Sequence, residues 1–138
     1  MDVYENFAIG VAAFAVGSNS PWPFVTIPAF ARQADRAMQQ TGASSMGMAH
    51  VVRPELYDAW VQFSLDNQEW LVERDEYYNF SGTSPGPLPF IWDSFFDFAP
   101  SNSTAPGYDH YAPFHQSVPV SVAGLSIQNF DALRYVHE

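Results

Sequence analysis

Residues 54–77 read PELYDAWVQFSLDNQEWLVERDEY, and this stretch decides the fold. Leu56, Trp60, Phe63, Asn67, Trp70, Arg74 and Tyr77 recur at spacings of three and four, which is one face of a helix, and Pro54 suits its first turn. The other face is acidic: from Glu55 to Glu76 seven carboxylates stand against one arginine, as on a solvated surface. The spacing predicts one long central helix from about Pro54 to Tyr77 that buries Trp60, Phe63 and Trp70. Asn67 shares that stripe, and a buried amide needs partners, so it is expected to bond backbone in the Trp22 to Pro28 loop.

Working outward, Ser45 to Val52 switches to period two, with Met46, Met48, His50 and Val52 on one face of a strand. Before it, Pro28 opens a helix over about 28–41, with Phe30, Ala34, Ala37, Met38 and Thr41 on one side and Gly42 as its stop. Trp22, Phe24, Val25 and Ile27 lie in a Pro-rich loop too apolar for water, which should plug onto the core. Residues 3–18 place Tyr4, Phe7, Val11 and Phe14 on the narrow apolar face of an entry helix. Downstream, 81–89 is a turn-rich connection, Phe90 to Phe98 alternates as a second strand, and Tyr111 to Val122 alternates despite two prolines, the mark of an edge or a bulge. Gln128 to Glu138 reads as the start of an exit helix, with Phe130, Leu133 and Val136 inward. Helices packed on a sheet of short aromatic strands make an α+β fold, expected as one domain over 1–138: entry helix 1–18, core 19–127, exit helix from 128.

The 138 residues are 47% hydrophobic and 17% aromatic against 14% charged, which excludes a disordered chain. Fifteen Asp and Glu face five Arg and no Lys, and a net charge of -10 repels phosphate backbones and anionic headgroups, so nucleic acid is not an expected partner. Without Lys there is no Schiff base, P-loop lysine or Ser/Lys dyad, and without Cys no thiolate nucleophile or thiolate metal site. The longest apolar run, Phe7 to Val16, is too short to span a membrane.

The string Gly82-Thr83-Ser84-Pro85-Gly86 matches G-x-S-x-G, but the nucleophile elbow needs a helix and a backbone N–H directly after the serine, and Pro85 and Pro87 supply neither. His50, His110, His115 and His137 lack metal-ligand spacing, so no metal and no cofactor is expected. Asp93 and Asp97 could share a strand face, although a charged rim explains them as well. Two glycosylation sequons begin at Asn79 and Asn102, both in expected loops.

Trp22-Pro23-Phe24-Val25-Thr26-Ile27-Pro28-Ala29-Phe30, then Ala59-Trp60, Asn67-Gln68 and Trp70, then Pro89-Phe90-Ile91-Trp92 and Ala112-Pro113-Phe114-His115-Gln116-Ser117, form four blocks in order. In these the chain resembles the extracytoplasmic input region of the receptor-type nucleotide cyclases of diatoms and related algae. It departs from that pattern at Ala31, at Glu69 and at His115-Gln116-Ser117-Val118, where the pattern has W-Q-x-S-P; the third departure falls in an expected pocket wall, so ligand identity does not carry over. The resemblance implies a CHASE-like sensor: a long entry helix and a PAS-like antiparallel sheet, on the extracellular face of a membrane, with flanking spans and a cytoplasmic cyclase in the parent. It implies a small-molecule ligand, no catalysis in this chain, and a homodimer joined through the entry helix. The alternative is a ligand-independent spacer that holds two receptor chains in register.

In a PAS-like domain the ligand sits between sheet and covering connection. Trp92, Phe95, Tyr111 and Phe114 are then the apolar walls, with His50 and His115 as the hydrogen-bonding groups, unless all six are simply core. The acidic balance favours a cationic or neutral ligand, although Arg32, Arg36 and Arg53 could clamp a carboxylate if the fold gathers them.

Overall fold

A computed structural model describes residues 22–82, 84–94, 99–101, 109–119 and 126–133. The entry helix, Phe95, Asp97, Asn102 and the end of the exit helix lie outside them.

Helix α1 spans Phe30–Thr41 and buries Phe30, Ala31, Ala34, Ala37 and Met38, the expected stripe, except that Thr41 is exposed. Gly42 ends it with φ 78°, its N–H bonded to the Met38 carbonyl at 2.7 Å. A Cβ at Gly42 would meet nothing within 4 Å. Gly42→Ala is therefore expected to cost about 1 kcal/mol from the left-handed backbone alone, measured by urea denaturation. A neutral result would mean that the helix ends differently.

Strand β1 is Met46–Ala49 and pairs antiparallel with β2, Phe114–Val118, with an irregularity between Met48 and Ala49. The period-two burial continues past the ladder, since His50 and Val52 are buried and Val51 is exposed, and Val52 bridges to Tyr111. Phe114 lies over Gly47, where a Cβ would stand 3.1 Å from its ring. Within 111–119 only Phe114 to Val118 form a strand, which stops at Pro119 for lack of an N–H to continue the ladder.

The central helix is a correction. Residues 54–77 form a 3-10 turn, Pro54–Leu56, then helix α2, Tyr57–Asp66, then helix α3, Glu69–Tyr77. The break has a local cause. Asn67 Nδ2 donates to the Phe63 carbonyl at 2.8 Å and Gln68 Nε2 to the Ser64 carbonyl, so two side-chain amides take the carbonyls that the helix N–H groups of the same residues would use. Asn67 thus bonds its own helix and not the Trp22 to Pro28 loop. The stripe itself survives: Trp60, Trp70 and Arg74 are buried, Phe63 is half-buried, and only Tyr77 turns outward.

Arg74 is buried because its charge is matched: it pairs with Asp75 at 3.3 Å, donates to the Ser117 carbonyl and to Ser84 Oγ, and lies 5.2 Å over the Trp70 ring. Ser84, the serine of the rejected hydrolase pattern, is a partner of that arginine in a segment without helix. Asn79, the first sequon residue, is exposed at φ 53°. Its N–H bonds the Glu76 carbonyl and the Phe80 N–H the Asp75 carbonyl, a Schellman end to α3.

Two expected elements differ. Residues 90–94 hold no strand, only a bridge at Trp92 to Pro100 and to Phe130. The exit helix starts later than expected: Gln128 and Asn129 form a turn, with Asn129 at φ 65°, Phe130 and Asp131 make bridges, and helical backbone begins only at Ala132. The described residues form a mixed α+β structure with three helices and a two-stranded antiparallel sheet. One core cluster joins Val25, Ile27, Phe30, Ala34, Met38 and Val118 between α1 and β2, and a second joins Val52, Trp60, Ile91 and Tyr111.

Candidate functional site

The Trp22 to Pro28 segment is apolar and has little backbone pairing of its own, so it needs polar anchors on the core, and β2 supplies them. Gln116 is fully buried and treats Ile27 as a strand partner: its Oε1 accepts from the Ile27 N–H and its Nε2 donates to the Ile27 carbonyl, both at 2.9 Å. His115 beside it reaches Thr26 Oγ1 through Nε2 at 2.8 Å. His50 donates from Nδ1–H to the Pro23 carbonyl at 2.9 Å and stacks against Trp22 with ring centroids 4.7 Å apart.

His50 and His115 meet edge to face at 5.7 Å, and Trp60, Phe63 and Trp70 surround His115. Both imidazoles are fully buried. Burial pushes His50 down to about 4 against the opposing bond to Pro23, and burial together with the neighbouring His50 pushes His115 down to about 3. His50 Nε2, His115 Nδ1 and the Trp70 indole nitrogen have no hydrogen-bond partner among the described residues. A threonine hydroxyl against an imidazole has the outline of a nucleophile and base, but an imidazole this acidic is a poor base at neutral pH.

In front of this cluster the Phe24 to Pro28 segment stands off from the junction of α2 and α3, leaving a cleft of about 350 Å³. Phe24, Ile27, Phe63 and Trp70 give it apolar walls, and Thr26, Asn67, Glu69 and Glu73 give it polar groups. The volume is at the small end of the roughly 300 to 1,000 Å³ of small-molecule sites.

Of the residues expected to bind, the structure brings His50 and His115 together behind the cleft, with Thr26 between His115 and the opening. Trp92, Tyr111 and Phe114 do not line it. Trp92 packs on Phe130 and donates from its indole N–H to the Gln128 carbonyl at 3.0 Å, Tyr111 packs on Tyr57, and Phe114 covers Gly47. Phe95 is outside the described residues. Arg32 and Arg53 line separate hollows, so no three-arginine clamp forms. None of the cleft residues is expected from the sequence as a binding residue, neither Phe24, Thr26, Ile27 and Pro28 on one wall nor Phe63, Asn67, Glu69, Trp70 and Glu73 on the other. The available signal was Glu69 and Glu73, four apart beside Trp70, next to an amide pair that interrupts the helix.

Comparisons with family models, curated proteins and solved structures return no match. The functional reading therefore stands on the residues, their geometry and the four sequence blocks.

Proposed function

We propose that this chain is a ligand-sensing domain without catalysis of its own, part of a receptor on the extracellular face of a membrane that signals to a cytoplasmic nucleotide cyclase. Its PAS-like architecture and a homodimer joined through the entry helix belong to the same reading. The observation that carries the binding part of this reading is the cleft: one wall is a segment pinned to the sheet by Thr26 to His115 and Ile27 to Gln116, the other is the α2–α3 junction; the receptor and cyclase part rests on the four sequence blocks alone. A molecule held between them touches both the sheet side and the helix side of the domain. The weak basicity of both buried imidazoles supports binding in preference to proton transfer.

The test is a thermal-shift screen of small molecules on the full chain. A ligand at ten times its Kd is expected to add about 1.4 kcal/mol, or roughly 4 °C in Tm. The shift should shrink in Phe63→Leu, which alters a wall. Hits indifferent to that change would put the site elsewhere, and a screen without hits would favour the ligand-independent spacer.

A further inference from the structure

We propose that the cleft takes an organic cation, a small ammonium compound with an apolar body; this rests on the binding reading above. Glu69 and Glu73 are exposed on consecutive turns of α3, both line the cleft, and neither has an ion-pair partner within 4.0 Å among the described residues. Arg74, the nearest cation in sequence, is already committed to Asp75, Ser84 and Ser117.

The rest of the lining suits the same ligand. Phe24 and Phe63 meet edge to face at 5.7 Å and offer ring surface to a cation and to an apolar body. Asn67 spends its N–H on Phe63 and leaves Oδ1 as an acceptor at the cleft. The Trp70 side chain lines the cleft and is 5% exposed, and its indole N–H lacks an acceptor among the described residues. A net charge of -10 raises the local concentration of cations around all of this. The apolar walls favour an organic cation over a metal ion, and the described residues contain no group of three or more His, Cys, Asp or Glu side chains placed to hold a metal. Arg32 lines the adjoining hollow with Glu73 and opposes cation binding.

Isothermal titration calorimetry with benzylamine, benzyl alcohol and benzoate, three probes of similar size and different charge, tests the inference. Benzylamine is expected to bind saturably, benzyl alcohol about tenfold more weakly, and benzoate not at all. The double variant Glu69→Gln/Glu73→Gln should weaken benzylamine about tenfold, with an unchanged Tm as the check of folding, while Arg32→Gln should tighten it. Alcohol binding as tightly as amine overturns the cation and leaves a neutral-ligand cleft. Heat from calcium chloride with none from benzylamine overturns it in favour of a metal ion. No saturable heat from any probe overturns this inference, and hits in the thermal-shift screen would then leave the binding reading standing without it.

Discussion

Asn129→Ala is expected to remove about 3 to 5 kcal/mol of stability in urea denaturation. Asn129 is fully buried, and its side chain makes three hydrogen bonds, two to α2 and one to the Leu88 segment. Its Oδ1 accepts from the Trp60 indole N–H at 3.0 Å, and its Nδ2 donates to Ser64 Oγ and to the Leu88 carbonyl, both at 3.0 Å. Its backbone bonds Phe114 and Trp92, so the turn also ties β2 to the Trp92 segment. Truncation leaves a buried indole N–H and a carbonyl unpaired, each a loss of about 1 to 3 kcal/mol. At φ 65° an alanine adds strain that asparagine tolerates better. Asn129→Gly separates the two contributions: it should recover about 1 kcal/mol of backbone strain and none of the hydrogen bonds. If Asn129→Ala unfolds within 1 kcal/mol of the parent, the Trp60 to Asn129 link is not holding the core.

The second large effect is acid destabilisation through His50 and His115. Both have folded pKa values, about 4 and about 3, below the ordinary 6.5. The unfolded chain therefore binds protons first as the pH drops. The stability that these neutral imidazoles contribute is fully present above 6.5, is lost as pH falls toward their folded values, and declines no further below them. At pH 4.5 the two together should have cost about 5 kcal/mol, comparable with the whole stability of a small domain. Urea denaturation from pH 7.5 to 5 reads the upper part of this slope before most carboxylates titrate, and His50→Gln/His115→Gln should flatten it. Two histidine ring signals that do not shift in NMR spectra of the folded chain down to pH 5 are the accompanying expectation. Stability independent of pH over that range would show the imidazoles to be accessible.

Where the determinants are local, the sequence alone was sufficient. Phe30, Ala34, Ala37 and Met38 with Gly42 behind them specify α1, because periodicity and a left-handed stop act within a few residues. The alternation from Met46 to Val52 and the burial of Trp60 and Trp70 follow from the same kind of signal. The break at Asn67 and Gln68 is also local, but it depends on which carbonyl each amide selects, and a stripe of hydrophobic spacing does not carry that information.

What the tertiary structure decided is every pairing across the chain. Residues 128–133 carry a helical spacing at Phe130 and Leu133, yet Trp60, Ser64 and Leu88 claim the Asn129 side chain and hold its backbone in a turn, so helical backbone begins only at Ala132, because buried polar groups must be satisfied. His115 and Gln116 lie 89 residues from Thr26 and Ile27, and only the closed fold shows that they anchor that segment and so form one wall of the cleft. Glu69 and Glu73 read as a solvated helix face for the same reason: a carboxylate's role depends on the wall that stands opposite, and the opposite wall is placed by long-range burial and hydrogen bonding that no local pattern encodes.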